Sequence, residues 1–326
     1  MCGIYGFIGK PTKRTAKVLL ELAKLNEDRG KDSSGIVMAN GQEIQFYKKA
    51  VNSTKFLEKE TTLDILKNTK NCQFVNFIGH CRQATNGAIN DNNAHPFRIG
   101  KFYLAHNGVI NNFTELQAKY KTTYEVDSQI IGFLLNRFKD KFVFEQKLSG
   151  WFAVPYFDIE NQNILHIAKS TSPLGLFYLP QNKGLFYSSE AEHLTKAIRK
   201  AGYKGKAVKV LGDKFYTFKW QGGSLQHTKD KLNIEHPTYN YNYAWGDYDY
   251  YGRPSTKTAK ESTTQGMLNY GHYNGYWDDK DTEAEANKLI TAENQREALA
   301  ESKDYLKKYV GKDWYKRWFG ESYETF

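Results

Sequence analysis

The chain has 326 residues, of which 40% are hydrophobic, so it can bury a sizeable core and form one large domain with an appendage. Its formal charge of +10 is uneven, because residues 1–220 hold 32 Lys and Arg against 19 Asp and Glu, and residues 221–326 hold 14 against 17. Three cysteines argue against a disulfide scaffold, and no apolar run has the length of a membrane span. A cytoplasmic chain with no membrane partner is therefore expected.

The positive charge of the first 220 residues has two open explanations, a lysine-rich solvated surface and an anion-binding face. The sequence contains no phosphate-binding loop ending in Gly-Lys-Ser/Thr, no RNP-like aromatic signature and no zinc-finger spacing. Nucleic acid is therefore a partner that the charge permits but no motif supports.

The hydrophobic pattern predicts mixed α and β structure from the start of the chain. Residues 3–8 alternate like a strand, and residues 15–28 place apolar side chains at helical spacing. A hairpin is predicted for residues 35–47, around the turn dipeptide Asn40-Gly41.

The same patterns predict further strands and a helix after residue 70. Short strands are predicted at 74–78 and 102–105, and a helix begins near Asp127. A second set of strands is predicted at residues 151–157, 164–168, 174–179 and 185–188. These elements favour a layered α+β body with two sheets between helices.

Cys2 follows Met1 directly, so removal of the methionine would place a thiol beside a free α-amine. An α-amino group has an ordinary pKa of about 7.7 to 8.0, so at neutral pH a fraction is unprotonated and can accept the thiol proton. One residue could then supply both nucleophile and base. A free cysteine is also commonly a small buried apolar residue, and the start of the chain alone does not decide between the two.

Four segments downstream of Cys2 share their order with blocks of one enzyme family: 29–35 (RGKDSSG), 79–87 (GHCRQATNG), 93–96 (NAHP) and 105–112 (AHNGVINN). Looser matches occur at 125–131 (EVDSQII), 172–175 (SPLG) and 188–190 (SSE). Over residues 2–220 the chain thus resembles the class II glutamine amidotransferases, and in particular the glutaminase domain of glucosamine-6-phosphate synthase. The resemblance implies an N-terminal-nucleophile (Ntn) hydrolase fold, a four-layer α/β/β/α sandwich.

The resemblance also implies a reaction in which the Cys2 thiolate attacks the side-chain amide of glutamine. The tetrahedral oxyanion needs donors placed beforehand, and the family pattern assigns them to the Asn107 side chain and the Gly108 backbone. Losing a comparable donor costs about 3 to 4 kcal/mol of barrier. From the residues alone, Asn107-Gly108 could equally form a tight turn after a strand.

Glutamine also presents an α-carboxylate and an α-ammonium group. The resemblance assigns the carboxylate to Arg82, whose planar guanidinium can bind two oxygens, assisted by Thr85, and the ammonium to Asp127. From residue type alone, Arg82 could form a surface ion pair and Asp127 could cap a helix. Three residues are expected to support the loop behind the nucleophile: Arg29, Gly30 and Ser33.

His80, His95 and His106 are interpreted as structural, because the α-amine fills the base role and no His-Glu-x-x-His spacing occurs. No metal and no cofactor are expected. Two positions depart from the family pattern: Gln83 stands where the synthase has a tryptophan, and Asn86 replaces a histidine. Because of these departures, neither the family's gating of the pocket nor the sealing of its ammonia channel is inferred for this chain.

Beyond a glutaminase domain of residues 2–225, the sequence predicts two appendages, 226–280 and 281–326. The first is rich in Tyr, Asn and Gly and poor in aliphatic residues, so it cannot bury enough apolar area to fold alone. The second predicts one polar helix with a thin apolar stripe, followed by an aromatic end. The tail is interpreted as a docking segment, with a disordered remnant as the alternative.

These observations predict a glutaminase that releases ammonia to a separate acceptor-activating protein, docked through the C-terminal tail. A virus-encoded enzyme acting in a host cytoplasm would suit that architecture. Two alternatives stay open. One is a cysteine Ntn acylase acting on another amide, which would lack the Arg82 and Asp127 pair. The other is a non-catalytic interaction or virion protein that retains the fold.

Overall fold

The structure, a computed structural model, describes residues 2–234. The predicted segments from residue 235 onward, including the helix and the aromatic end, lie outside the described residues. Strands and helices alternate along the described part as follows. The strands are β1 (Gly3–Gly9), β2 (Ser33–Ala39), β3 (Ile44–Lys49), β4 (Val75–Arg82), β5 (Phe97–Ile99), β6 (Phe102–Leu104), β7 (Asn107–Ile110), β8 (Gly150–Asp158), β9 (Ile164–Lys169), β10 (Gly175–Tyr178), β11 (Gly184–Ser188), β12 (Val208–Lys209), β13 (Lys214–Gln221) and β14 (Ser224–Lys231). The α-helices are α1 (Thr15–Leu25), α2 (Ser53–Leu57), α3 (Glu60–Asn68), α4 (Phe113–Tyr120), α5 (Asp127–Leu135), α6 (Asp140–Gln146) and α7 (Ala191–Lys200).

The strands form two antiparallel sheets. The first sheet has the order β12-β10-β11-β1-β4-β2-β3, so β1 lies at its centre between β11 and β4. The second sheet has the order β14-β13-β9-β8-β6-β5, and β7 pairs with β8 beside β6. The antiparallel pairing lets one face of each sheet pack on the other sheet and the opposite face pack on helices.

Three buried apolar clusters separate four layers. The first lies between α1, α2, α3 and α7 and the outer face of the first sheet, and includes Leu19, Leu194 and Phe77. The second fills the space between the sheets, and the third packs α5 and α6 against the outer face of the second sheet. This arrangement confirms the predicted α/β/β/α sandwich.

The alternation of side chains along β1 decides where Cys2 points. Tyr5 and Phe7 belong to the helix-facing cluster, whereas Ile4 and Ile8 belong to the cluster between the sheets. Successive side chains of a strand point to opposite faces, so Cys2, two residues before Ile4, shares the inter-sheet face. The strand therefore delivers the thiol to the end of the space between the two sheets.

Most of the elements predicted from hydrophobic periodicity are present, and the strands predicted as a second set divide between the two sheets. The strands at 150–158 and 164–169 do belong to the second sheet, whereas those at 175–178 and 184–188 pair with each other and with β1 in the first sheet. Alternation of apolar and polar residues identifies a strand but not the strand with which it pairs. Pairing depends on contacts between residues that are distant in sequence.

The folded body continues past residue 225, because β14 runs from Ser224 to Lys231 along β13. Leu232 is buried in the cluster under α5 and α6, and the Asn233 backbone N–H donates to Glu145 Oε1 at 2.9 Å. Across residues 2–234, none of the helices combines the length and the apolar character that crossing a bilayer requires.

Candidate active site

Cys2 lies at the entrance to β1, in contact with the backbone of Gln83. The Cys2 Sγ atom is 3.3 Å from the Gln83 nitrogen, which donates to it, and 3.4 Å from the Gln83 carbonyl oxygen. Burial raises the pKa of the Cys2 thiol, while the Gln83 N–H and the positive charge of Arg82 act in the opposite direction. The thiol is thus protonated at rest and needs a base to become a nucleophile.

The loop beside Cys2 is held by close backbone packing. A Cβ on Gly30 would come 2.4 Å from the Arg82 carbonyl carbon, so only glycine lets the two chains approach this closely. The Asp32 N–H donates to Arg82 O at 3.0 Å, and Asp32 Oδ2 accepts from Ala84 N at 2.7 Å. Ser33, the first residue of β2, is buried and pairs with Arg82. These contacts fix the Gln83 peptide against Cys2, and the sequence reasoning missed Asp32.

Arg29 supports Cys2 directly. Its Nε atom donates to the Cys2 carbonyl oxygen at 2.8 Å, and its Nη1 atom forms an ion pair with Glu190. Glu190 lies just before α7, so this pair joins the segment that follows α1 and the start of α7 to the residue that precedes β1. The supporting role of Arg29 stays a prediction.

Asn107 is held by hydrogen bonds to two serine side chains and is only 3% exposed. Its Nδ2 atom donates to Ser189 Oγ at 3.3 Å, and its carbonyl oxygen accepts from Ser172 Oγ at 3.0 Å. Ser189 Oγ also accepts from Ile4 N at 2.8 Å, so one hydroxyl connects β1 to Asn107. Ser172 and Ser189 lie in the two loosest sequence matches, and their contacts with Asn107 were not predicted.

Asn107 and Gly108 begin β7 and do not form the tight turn that the dipeptide alone permits. Gly108 has φ +146°, and a Cβ there would come 1.9 Å from the Trp151 carbonyl oxygen. Because β7 pairs with β8 at this point, only glycine fits. The inter-sheet residue Ala153 is the register partner of Asn107, so Asn107 faces the same space as Cys2.

Asp127 does not cap a helix. The cap position belongs to Val126, and Asp127 is the first residue of α5. Its buried carboxylate accepts from the Ile110 backbone N–H at 2.9 Å, which ties the start of α5 to the end of β7. A carboxylate held in this way is available for a cationic group of a ligand.

Arg82 is 2% exposed and forms no ion pair with another residue of the described part of the chain. Its guanidinium donates to the carbonyl oxygens of Asn86 and Ala88, the first bond being short and the second 3.3 Å. Both acceptors belong to the loop after β4, in which Thr85 is exposed. A guanidinium has five N–H groups, so donors remain for a carboxylate beneath this loop.

Arg82 and Asp127, the predicted ligands of the substrate's carboxylate and ammonium groups, both affect the pKa of the same thiol. Arg82 lowers the pKa of Cys2 and Asp127 raises it, after the larger effects of burial and of the Gln83 N–H. Cys2, Arg82 and Asp127 therefore share one region at the end of the inter-sheet space, whereas Thr85 lies on the exposed loop above it.

The three predicted structural histidines are fully buried beside this region. Burial lowers the pKa of His80 to about 3, lowers that of His95 well below its usual range, and lowers that of His106. Neutral imidazoles are the stable forms here. Within residues 2–234, no group of three or more His, Cys, Asp or Glu side chains is arranged to hold a metal ion.

Comparison with known proteins decides the family. The family model described as glutamine amidotransferases class-II matches residues 2–167. This chain belongs to the class II glutamine amidotransferases. Among curated relatives, the glutamine–fructose-6-phosphate aminotransferase of Thermococcus kodakarensis is 34% identical over 191 residues, covering 54% of this chain and 30% of the relative. That of Bacillus spizizenii is 33% identical over 189 residues, covering 53% and 30%.

Solved structures agree on the fold of this amidotransferase. The allosteric regulatory enzyme of purine biosynthesis aligns with a TM-score of 0.56 at 21% identity, covering 72% of this chain and 50% of that one. The glutamine phosphoribosylpyrophosphate amidotransferase from B. subtilis aligns with a TM-score of 0.54, at the same identity and coverage. The four-layer α/β/β/α fold is thereby confirmed. The match covers about 30% of the length of the curated relatives, so it concerns one part of those proteins.

Proposed function

We propose that this amidotransferase hydrolyses the side-chain amide of glutamine with Cys2 as its nucleophile, after removal of Met1. The observation that carries the proposal is the placement of Cys2 at the end of the inter-sheet space, with Asn107 anchored on the same face and Arg82 acting on the thiol. The curated relatives, which are glutamine–fructose-6-phosphate aminotransferases, also carry glutamine in their name.

The first half of the reaction forms a cysteinyl acyl-enzyme. The α-amine of Cys2 takes the thiol proton, and the Gln83 N–H, 3.3 Å from Sγ, stabilises the thiolate. Sγ then bonds to the amide carbon, and the carbonyl oxygen becomes an oxyanion. One Asn107 amide hydrogen serves Ser189, which leaves the second for this oxyanion, beside the Gly108 N–H.

The second half regenerates the thiol. The protonated α-amine gives its proton to the departing nitrogen, and the carbon–nitrogen bond breaks to release ammonia. Water then adds to the thioester with the α-amine as base, and the carbon–sulfur bond breaks to give glutamate and free Cys2. The buried Arg82 guanidinium binds the α-carboxylate and the Asp127 carboxylate binds the α-ammonium, so the amide is aligned with Sγ.

We further propose that the ammonia passes to a protein that activates an acceptor. The support is that the relatives are named as aminotransferases to fructose 6-phosphate, while this chain matches about 30% of their length. Docking of such a protein through residues 235–326 stays a prediction, because these residues lie outside the described part of the chain.

The test is a glutaminase assay on purified protein whose first residue has been identified by mass spectrometry. Ammonia and glutamate should form in equal amounts from glutamine, and Cys2→Ala should abolish both. Cys81→Ala is the matched control, because Cys81 is a buried thiol on the helix-facing side of the first sheet. Failure of correctly processed protein to release ammonia from glutamine, with turnover of another amide, would favour the acylase alternative.

A further inference from the structure

Three of the sequence segments that resemble the family, 93–96, 105–112 and 125–131, meet at a single hydroxyl, that of Ser128. The Ser128 Oγ atom lies 2.9 Å from His95 Nε2 and 2.9 Å from His106 Nδ1. It also lies 3.4 Å from Asp127 Oδ1. All four residues are buried, so no solvent competes for these contacts. The sequence reasoning had no role for Ser128.

The same cluster continues to the strand that carries Arg82. His80 Nε2 is 3.1 Å from the His106 carbonyl oxygen, and because a carbonyl only accepts, this nitrogen carries the hydrogen. The His80 ring stacks on the His95 ring with centroids 4.2 Å apart. His106 directly precedes Asn107 in the chain. Movement of one imidazole would therefore be transmitted to both the oxyanion donor and the ammonium ligand.

The cluster is suited to fixing the positions of its side chains, and it is not suited to transferring protons. The second ring nitrogens of His80 and His95, both Nδ1, are buried and have no hydrogen-bond partner among residues 2–234. A proton added there would occupy a buried N–H without an acceptor, which is costly. The imidazoles thus act as neutral groups, and their contribution is to fix the Ser128 hydroxyl.

Asp127 needs such a contact because only one of its oxygens is held by the backbone. Oδ2 accepts from Ile110 N at 2.9 Å, whereas Oδ1 faces Ser128 Oγ and lies 3.9 Å from His106 Nδ1. Rotation of the carboxylate about its bond to the chain would carry Oδ1 away from a bound ammonium group. The Ser128 hydroxyl lies where it limits that rotation.

We propose that Ser128, held between His95 and His106, is a positioning residue that sets the Asp127 carboxylate toward the α-ammonium of glutamine. This inference rests on the proposed glutamine hydrolysis and on Asp127 as the ammonium ligand. A positioning role of this kind affects only the α-ammonium group of the substrate. A substrate that lacks this group therefore distinguishes it from a general structural role.

The experiment compares glutamine with glutaramate, which keeps the carboxylate and the amide but lacks the α-ammonium group. The ratio of kcat/KM for glutamine to that for glutaramate is measured for wild type, Ser128→Ala and Ser128→Thr. We expect Ser128→Ala to lower the ratio at least tenfold, mainly through KM for glutamine, and Ser128→Thr to restore most of it. Ser34→Ala, which removes another buried hydroxyl, should leave the ratio unchanged.

The outcomes separate this inference from the proposed function. An unchanged ratio in Ser128→Ala, with or without an equal loss of kcat/KM on both substrates, would overturn the positioning role alone. Wild-type protein that releases ammonia from neither substrate would overturn the proposed function and this inference with it. If Ser128→Ala does not fold, as judged by circular dichroism, His95→Asn removes one imidazole contact with Ser128 and is scored by the same ratio.

Discussion

The Cys2 thiol lies against the backbone of Gln83, 3.3 Å from its nitrogen and 3.4 Å from its carbonyl oxygen. A thiol in this position donates to the carbonyl, whereas a thiolate accepts from the N–H, so the backbone groups of one residue serve both protonation states. Asp32 holds the residues on either side of Gln83, through Arg82 O and Ala84 N. Deprotonation of the Cys2 thiol therefore requires no movement of the backbone beside it.

Asn107→Ala tests the oxyanion donor. Removal of the side-chain amide should lower kcat for glutamine by about 10²- to 10³-fold with a small change in KM, because the oxyanion exists only along the reaction path. Steady-state kinetics of ammonia release measure the effect. Asn111→Ala, an exposed residue of the same segment, is the control and should retain wild-type kcat. A change confined to KM would remove Asn107 from the oxyanion site.

Gly108→Ala tests the backbone requirement at the start of β7. The added Cβ would meet the Trp151 carbonyl oxygen at 1.9 Å while the residue keeps φ +146°, so the folded state should lose on the order of 4 kcal/mol or more. Urea unfolding measures the loss.

Gly222→Ala separates the cost of a positive φ angle from the cost of a close contact of the added Cβ. Gly222 has φ +60° but nothing within 4 Å of an added Cβ, so its substitution should cost only about 1 to 2 kcal/mol. Equal costs for the two variants would mean that β7 and β8 do not approach as closely as the structure places them.

Arg82→Ala tests the carboxylate contact. Loss of charged hydrogen bonds of this kind costs about 1.5 to 3 kcal/mol, so KM for glutamine should rise roughly 10- to 150-fold. Arg98→Ala removes an exposed arginine outside the site and should leave KM unchanged. The prediction fails if Arg82→Ala binds glutamine as wild type does while its fold, measured by circular dichroism, is intact.

Acid should destabilise the fold through the buried histidines. Their native pKa values are depressed, so the unfolded chain binds more protons and stability falls as the pH drops below about 6.5. For His80 the loss continues down to its native pKa of about 3, at about 1.4 kcal/mol per pH unit. Urea unfolding at several pH values measures this slope.

His80→Gln should flatten that slope, because glutamine does not titrate in this range. His227→Gln, which replaces an exposed histidine on β14, should leave the slope as it is. A slope that is identical in wild type and His80→Gln would show that His80 is not responsible for the acid sensitivity.

The sequence predicted the layers of the fold better than its connections. Residues of β1 alternate, α1 has helical spacing, and Asn40-Gly41 marks the β2–β3 hairpin, all of them local signals that the structure confirms. Membership of β10 and β11 in the first sheet depends on packing against β1, far away in sequence. No local pattern encodes that choice, so the sequence did not predict it.

The candidate site shows the same limit. Cys2, Asn107 and Arg82 were found because their motifs match a family, and the structure brings them to one end of the inter-sheet space. Ser128 and Asp32 were missed because a serine and an aspartate in a loop or at a helix start have many ordinary uses. Their roles follow only from distances to residues distant in sequence.

The central claim is that Cys2 is a glutamine-directed nucleophile, and labelling with 6-diazo-5-oxo-L-norleucine tests it most directly. Intact mass and the mass of the N-terminal peptide are measured after incubation with and without excess glutamine, using Cys2→Ala as control. The account predicts one adduct on a methionine-free Cys2, prevented by glutamine and absent from Cys2→Ala. Processed protein whose Cys2 stays unlabelled, or whose labelling glutamine does not prevent, would contradict it.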